Sequence, residues 1–356
     1  MTKVRREGTL LEALIPIVFL IIFLSVNVSV FGDDALSGSN QIVLILSGAV
    51  AALVAYRIGC TWDQIEKSIV KSISSAMASI LILLLIGSLA GSWLISGIVP
   101  AMIYYGLQIL NPTIFLFAAC IVCAIVSMAT GSSWTTAATV GIALIGIGQT
   151  MGLNEGVVAG AILSGAYFGD KLSPLSDTTN LAPAMAGTDL FTHIKYMTYT
   201  TLPSIGITLV IFLILGFNNS NTTALVGTDV VLEAISSKFY ISGWLFLVPL
   251  VVVVLIVKKV PALPALLVGT LLGVVFALIF QPNIIAEVSG YEGAHWKVMF
   301  VGTMKALYGR VGVTTSNEMV NELLSSGGMY KMLNTVWLIL CAMVFGGIMD
   351  AIGALA

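Results

Sequence analysis

The residues best suited to chemistry stand together at 164–189, SGAYFGDKLSPLSDTTNLAPAMAGTD, a polar stretch holding three aspartates and one lysine. Asp170 and Asp177 lie seven residues apart with Pro174 between them. A carboxylate can hold a proton or a small hard cation. Such a cation prefers oxygen ligands, and Ser173, Ser176, Thr178, Thr179 and Asn180 supply neutral oxygens in the same stretch. Pro174 and Pro183 each lack a backbone donor and disfavour continuous helix. A second polar interruption, Thr130-Gly131-Ser132-Ser133-Trp134-Thr135-Thr136, separates two apolar runs. Carbonyls and hydroxyls freed at such breaks can replace an ion's hydration shell, which makes Ser132, Ser133 and Thr136 candidate neutral ligands. Lys171 can pair with an aspartate while the site is empty, or meet an anionic substrate. Asp350, beside Gly346, Gly347 and Gly353, is the other acid inside an apolar run and joins the candidates.

What must position these residues is a set of membrane helices. Hydrophobic residues make up 58% of the 356-residue chain and charged residues 9%, against roughly 25% charged in a soluble domain. Mean hydropathy is +1.06. Apolar runs approaching the roughly 20 residues that cross a bilayer occur near 12–31, 41–56, 75–97, 112–130, 133–152, 198–217, 243–257, 262–280 and 333–356. Unpaired backbone is intolerable in lipid and no barrel-like alternation is present, so the expected fold is all-α: a polytopic transmembrane helical transporter with interrupted helices.

The first run follows Lys3, Arg5 and Arg6, as in a signal peptide, but is too long for one and has no small-x-small cleavage site. It reads as a retained span, with Glu12 at its interfacial start. Lysine and arginine in short loops place the N-terminus in the cytoplasm, together with Arg57, Lys67, Lys71, Lys195, Lys258 and Lys259. Asp33, Asp34, Asp229 and Glu233 then fall outside. Residues 131–188 must make an even number of crossings, for example 133–152 outward and 156–168 back.

Cys120 and Cys123 read C-x-x-C inside an apolar span, without a second pair or a nearby histidine, and are taken as helix-packing residues. His193 and His295 fall at an interface and in a long loop. The pairs Gly87/Gly91, Gly156/Gly160, Gly165/Gly169 and Gly269/Gly273 allow close helix contact, within one chain or in a homo-oligomer. No basic patch points to a nucleic-acid partner, and no cofactor motif is present. A membrane enzyme is disfavoured, since no H-E-x-x-H occurs and the serines beside Asp177 have no histidine partner in their segment. A transport ATPase would need a G-x-x-x-x-G-K-[ST] loop, which is missing.

An internal repeat is visible. SGAVAAL at 47–53 has a partner in VGTLLGVVFAL at 268–278. LILLLIGSLAGSWLISG aligns with LILCAMVFGGIMDAIGA when Gly91 is set on Gly347, which also sets Gly97 on Gly353. The charge pattern orients the members of each pair oppositely. That is the inverted-topology plan of many secondary transporters, here with repeat 1 at 12–217 and an incomplete repeat 2 at 243–356 in a single transmembrane domain. Nothing after Ala356 matches 112–216, so the expectation is that roughly 100 further residues, with a second polar break, complete the repeat.

On GAYFGDKLSPLSDTTNLAPAMAGTDLFTHIKYMTYTTLP at 165–203 and ATGSSWTTAATVG at 129–141, the chain resembles the NhaC family of sodium/proton antiporters. The resemblance implies electrochemically driven exchange of Na+ for H+ across the cell membrane, without ATP, in a multi-pass protein surrounded by membrane lipid. Asp170 and Asp177 would then be the Na+ ligands. One branch of the family exchanges malate for lactate with coupled Na+ and H+, so a small carboxylate is the alternative cargo. That exchange would require an anion site, for which Lys171 and the backbone around Ser132 are the candidates.

Overall fold

A computed structural model describes residues 8–109, 112–130, 133–173, 176, 179, 188, 190–219, 228–258, 260–315, 321 and 324–353. Its helices are α1 (Leu10–Phe31), α2 (Ser39–Ile58), α3 (Trp62–Ile95), α4 (Ile98–Ile109), α5 (Pro112–Thr130), α6 (Ile142–Thr150) and α7 (Glu155–Leu172). They are followed by α8 (Leu190–Asn219), α9 (Thr228–Lys238), α10 (Leu247–Val257), α11 (Ala262–Phe280), α12 (Pro282–Ser289), α13 (His295–Tyr308) and α14 (Gly328–Ile352). A single α-turn, Ser133–Thr136, and a π-helical turn, Ala137–Gly141, precede α6. Two short strands, β1 (Val311–Gly312) and β2 (Ser325–Ser326), pair antiparallel with Val311 opposite Ser326.

Among the described residues six helices, α1, α2, α3, α8, α11 and α14, are long and apolar enough to cross a membrane. The all-α expectation holds, and the apolar runs near 12–31, 41–56, 112–130, 198–217, 262–280 and 333–356 fall on α1, α2, α5, α8, α11 and α14. Glu12 closes a capping box with Thr9 at the start of α1: its carboxylate accepts from Thr9 N at 3.0 Å, and Thr9 Oγ1 accepts from Glu12 N at 3.4 Å.

Elsewhere hydropathy misjudged the elements. α3 begins at Trp62 and not near 75, because the polar turns before the apolar run are good helix formers laced by an Asp63–Lys67 pair at 2.8 Å. The run at 243–257 opens as a 3-10 turn, Gly243–Phe246, capped by Ser242, so only Leu247–Val257 is α-helical. Val231–Lys238 precedes it at an angle of 89°, and the two pieces together make one bent apolar element. α4, α9, α12 and α13 lie outside the expected spans, since helices this short escape a search for long apolar runs.

Contacts divide the chain into two units. In the first, 1–84 with 331–356, α2 and α14 enclose a core of Ala51, Val54, Ala55, Ile58, Ile348, Met349 and Ile352. Its α1–α2 hairpin carries a buried polar pair, with Asn27 Nδ2 donating to Asn40 Oδ1 at 2.7 Å, because an amide in an apolar environment needs a partner. The second unit, 85–330, buries Trp93, Phe115, Leu116 and Ile235, and it contains both polar breaks.

Candidate functional site

α7 is built to bring one end of itself against α5. It starts where Asn154 Oδ1 accepts from the main-chain N–H groups of Gly156 and Val157, at 2.9 and 3.3 Å. Its buried face is made of small residues, Gly165, Ala166 and Gly169. A methyl group at Gly165 would overlap the Cys120 carbonyl, and one at Gly169 the Ala124 carbonyl, so the two backbones touch. Ser127 Oγ donates to the Ala166 carbonyl at 2.5 Å across the same seam. The paired positions rise together along both helices, Cys120 with Gly165 and Ala124 with Gly169. α5 and α7 are therefore parallel, and their C-terminal ends arrive side by side.

Ser173 closes this corner. It precedes Pro174, which disfavours α geometry at the preceding residue, and it is extended with φ −82° and ψ 126°. Its N–H donates to the Asp170 carbonyl at 3.1 Å, and its hydroxyl donates to the Met128 carbonyl in the last turn of α5 at 2.8 Å. Thr179 returns to the same place, its hydroxyl 3.1 Å from the carbonyl oxygens of both Asp170 and Lys171. Ser176 Oγ accepts from Thr179 N at 3.4 Å. Ser173, Ser176 and Thr179 are all buried.

The second break meets the first here. Ser133, 5% exposed, donates from Oγ to Asp170 Oδ2 at 2.7 Å. Thr136 is fully buried one turn further on, where the backbone widens into the π turn. Such a turn leaves the regular ladder and is frequent at functional sites. Helix ends carry about half a negative charge at the C-terminus. Two such ends converge around the half-buried Asp170, so the local field favours a cation.

Of the sequence candidates, the structure brings together Asp170, Ser133, Ser173, Ser176 and Thr179. Lys171 sits in the last turn of α7 with its side chain exposed. Asp350 is exposed near the end of α14, which lies in the other unit from Asp170. Ser132, Asp177, Thr178 and Asn180 lie outside the described residues. Cys120 and Cys123 are buried in the α5 seam as free thiols. His193 stands in the first turn of α8 and His295 starts α13. Ser127 escaped the sequence reading. Its only signal was a hydroxyl one turn before Gly131 in an otherwise apolar helix.

The family model described as "Na+/H+ antiporter family" matches residues 165–356, beginning within α7 just before Asp170. A Bacillus subtilis protein named malate-2H+/Na+-lactate antiporter is 37% identical over 98% of this chain and 71% of its own length. The Na+/H+ antiporter NhaC of Alkalihalophilus pseudofirmus is 34% identical over 88% of this chain and 65% of its own length. The arginine/ornithine antiporter ArcD of Halobacterium salinarum is 36% identical over 97% of this chain and 68% of its own length. The chain thus spans about two thirds of the length of these relatives. No solved structure matches it. Its six spanning helices and these relatives make it a multi-pass protein of the cell membrane, and the chain belongs to the Na+/H+ antiporter family.

Proposed function

We propose that the protein exchanges Na+ for H+ across the cell membrane, with Asp170 as the carboxylate that carries each in turn. The observation behind this reading is the Ser133–Asp170 hydrogen bond, placed where the C-terminal ends of α5 and α7 meet. Desolvation favours the protonated carboxyl and a nearby cation favours the ionised one, so proton and Na+ compete for one group. Competition at a single site gives antiport without ATP. Ser133 supplies a hydroxyl oxygen at the carboxylate, Ser173, Ser176 and Thr136 are buried hydroxyls of the same two breaks, and main-chain carbonyls at the helix ends add hard ligands. Asp177, Thr178, Asn180 and Ser132 belong to the same two breaks in sequence and complete the proposed ligand set. Asp350 is kept as a second acid, to be tested separately.

The inverted repeat, 12–217 and 243–356, is part of the proposal. Gly97 and Gly353, aligned by sequence, share φ +79°. In one unit Gly48 of α2 lies beside Phe345 of α14. In the other Gly269 of α11 lies beside Leu89 of α3, and the offset that sets Gly91 on Gly347 sets Leu89 on Phe345. Two oppositely oriented halves around one site provide alternating access.

Exchange of a carboxylate is the second reading, favoured by the 37% identity to the malate/lactate antiporter. Against it stands the field of two helix C-termini, which opposes an anion. Everted vesicles containing the protein, loaded with a pH-sensitive dye, separate the readings. Na+ alone should dequench the dye. Dequenching that requires malate or lactate would replace the first reading with the second.

A further inference from the structure

The C-terminal turn of a helix leaves carbonyl oxygens without intrahelical donors, and in an apolar site each needs another partner. In α7 those oxygens include Asp170 O and Lys171 O. Asp170 O accepts from Ser173 N, and both accept from the Thr179 hydroxyl at 3.1 Å. One hydroxyl proton shared by two carbonyls is a three-centre bond, common at helix ends. Thr179 is 3% exposed, and its own N–H is held by Ser176 Oγ. Asp170 is thus held at two points. Its main chain is fixed by Thr179 and Ser173, and its carboxylate is fixed by Ser133.

We infer that Thr179 is a positioning residue: its hydroxyl locks the last turn of α7 and so aims the Asp170 carboxylate at Ser133, and it does not itself ligate the ion. This rests on the reading that Asp170 carries the exchanged ion. Without the hydroxyl, Lys171 O loses this donor and Asp170 O keeps only Ser173 N, so the turn can relax, which loosens the 2.7 Å contact. The effect should appear in the Na+ dependence and should pass through Ser133.

The test measures Na+-dependent proton flux in everted vesicles at several pH values for Thr179→Val, Thr179→Ser, Thr179→Cys, Ser133→Ala and the Ser133→Ala/Thr179→Val double variant, with Asp170→Asn alongside. Thr179→Val should raise the Na+ concentration for half-maximal flux about fivefold, the equivalent of one net hydrogen bond, with the maximal rate changed much less. Thr179→Ser, which keeps the donor, should recover most of the wild-type Na+ dependence. Thr179→Cys, with a weak S–H donor, should be worse than Thr179→Ser even if the valine variant fails to reach the membrane. In the Ser133→Ala background, Thr179→Val should add little, because both changes release the same carboxylate. Equal values for Thr179→Ser and Thr179→Cys overturn the inference, as do independent effects of Thr179→Val and Ser133→Ala. If Asp170→Asn exchanges normally, the underlying reading of Asp170 fails instead, which is a different outcome from Asp170→Asn being dead while Thr179→Val is normal.

Discussion

Ser133 and Asp170 stand 37 residues apart in the chain, yet the Ser133 hydroxyl donates to Asp170 Oδ2 across 2.7 Å. That single contact joins the two polar interruptions. One break contributes a carboxylate at a helix C-terminus, and the other contributes a hydroxyl from a short turn that runs into π-helical geometry.

Replacing Asp170 by Asn keeps the size and one acceptor but removes titration and full charge. Exchange should fall by at least about a hundredfold, the scale of losing a charge-assisted contact worth roughly 3 kcal/mol. Expression and thermal stability in detergent should stay near wild type. Flux within a few-fold of wild type would remove Asp170 from the transport cycle.

Ser133→Ala removes the donor to Asp170 without removing the carboxylate. The expected result is a rise of about three- to tenfold in the Na+ concentration for half-maximal flux, corresponding to about 1 kcal/mol. Ser133→Thr should lie closer to wild type. An unaltered Na+ titration for the alanine variant would return Ser133 to helix packing.

Gly165→Ala and Gly160→Ala form a matched pair five residues apart on α7. A methyl at Gly165 overlaps the Cys120 carbonyl, whereas among the described residues nothing lies within 4 Å of one at Gly160. The first should destabilise the protein by about 1–3 kcal/mol through overpacking. The second should be neutral or stabilise slightly through helix propensity. Melting temperatures in detergent decide the matter, and equal values would contradict the α5–α7 contact.

Gly97→Ala and Gly353→Ala both place a side chain at φ +79°. Left-handed geometry costs an alanine about 1 kcal/mol or more at each. A methyl at Gly97 would also lie 2.5 Å from Gln281 Nε2, and the Gln281 amide is tied to Tyr240 N and Tyr240 O at 3.2 and 2.9 Å. Among the described residues nothing lies within 4 Å of a methyl at Gly353. Unfolding in detergent should therefore show the larger loss for Gly97→Ala, and the reverse order would contradict the packing at Gln281.

Much was legible without coordinates. With 9% charged residues and long apolar runs, only helices could satisfy the backbone in lipid, so the all-α spanning architecture followed from composition. Asp170 and Ser133 were recognisable because polar groups in such a chain are costly to keep. The spacing of Gly165 and Gly169 allowed a close helix contact, but the same spacing at Gly156 and Gly160 meets no other helix among the described residues. The amphipathic start of α3 at Trp62 and helices α12 and α13 were not legible, because hydropathy averages away a helix that is half polar.

Which groups meet was decided only by the tertiary structure. Sequence spacing paired Asp170 with Asp177, its neighbour in the chain. Asp177 lies outside the described residues; the fold sets Asp170 against Ser133, because the α5–α7 seam is parallel and the chain between them crosses back. That the Thr179 hydroxyl meets two helix-end carbonyls, Asp170 O and Lys171 O, is likewise a matter of the fold. The sign of the field at Asp170 is tertiary as well. A sequence can show where helices end, but their direction relative to one another, and hence whether two negative ends converge, depends on packing.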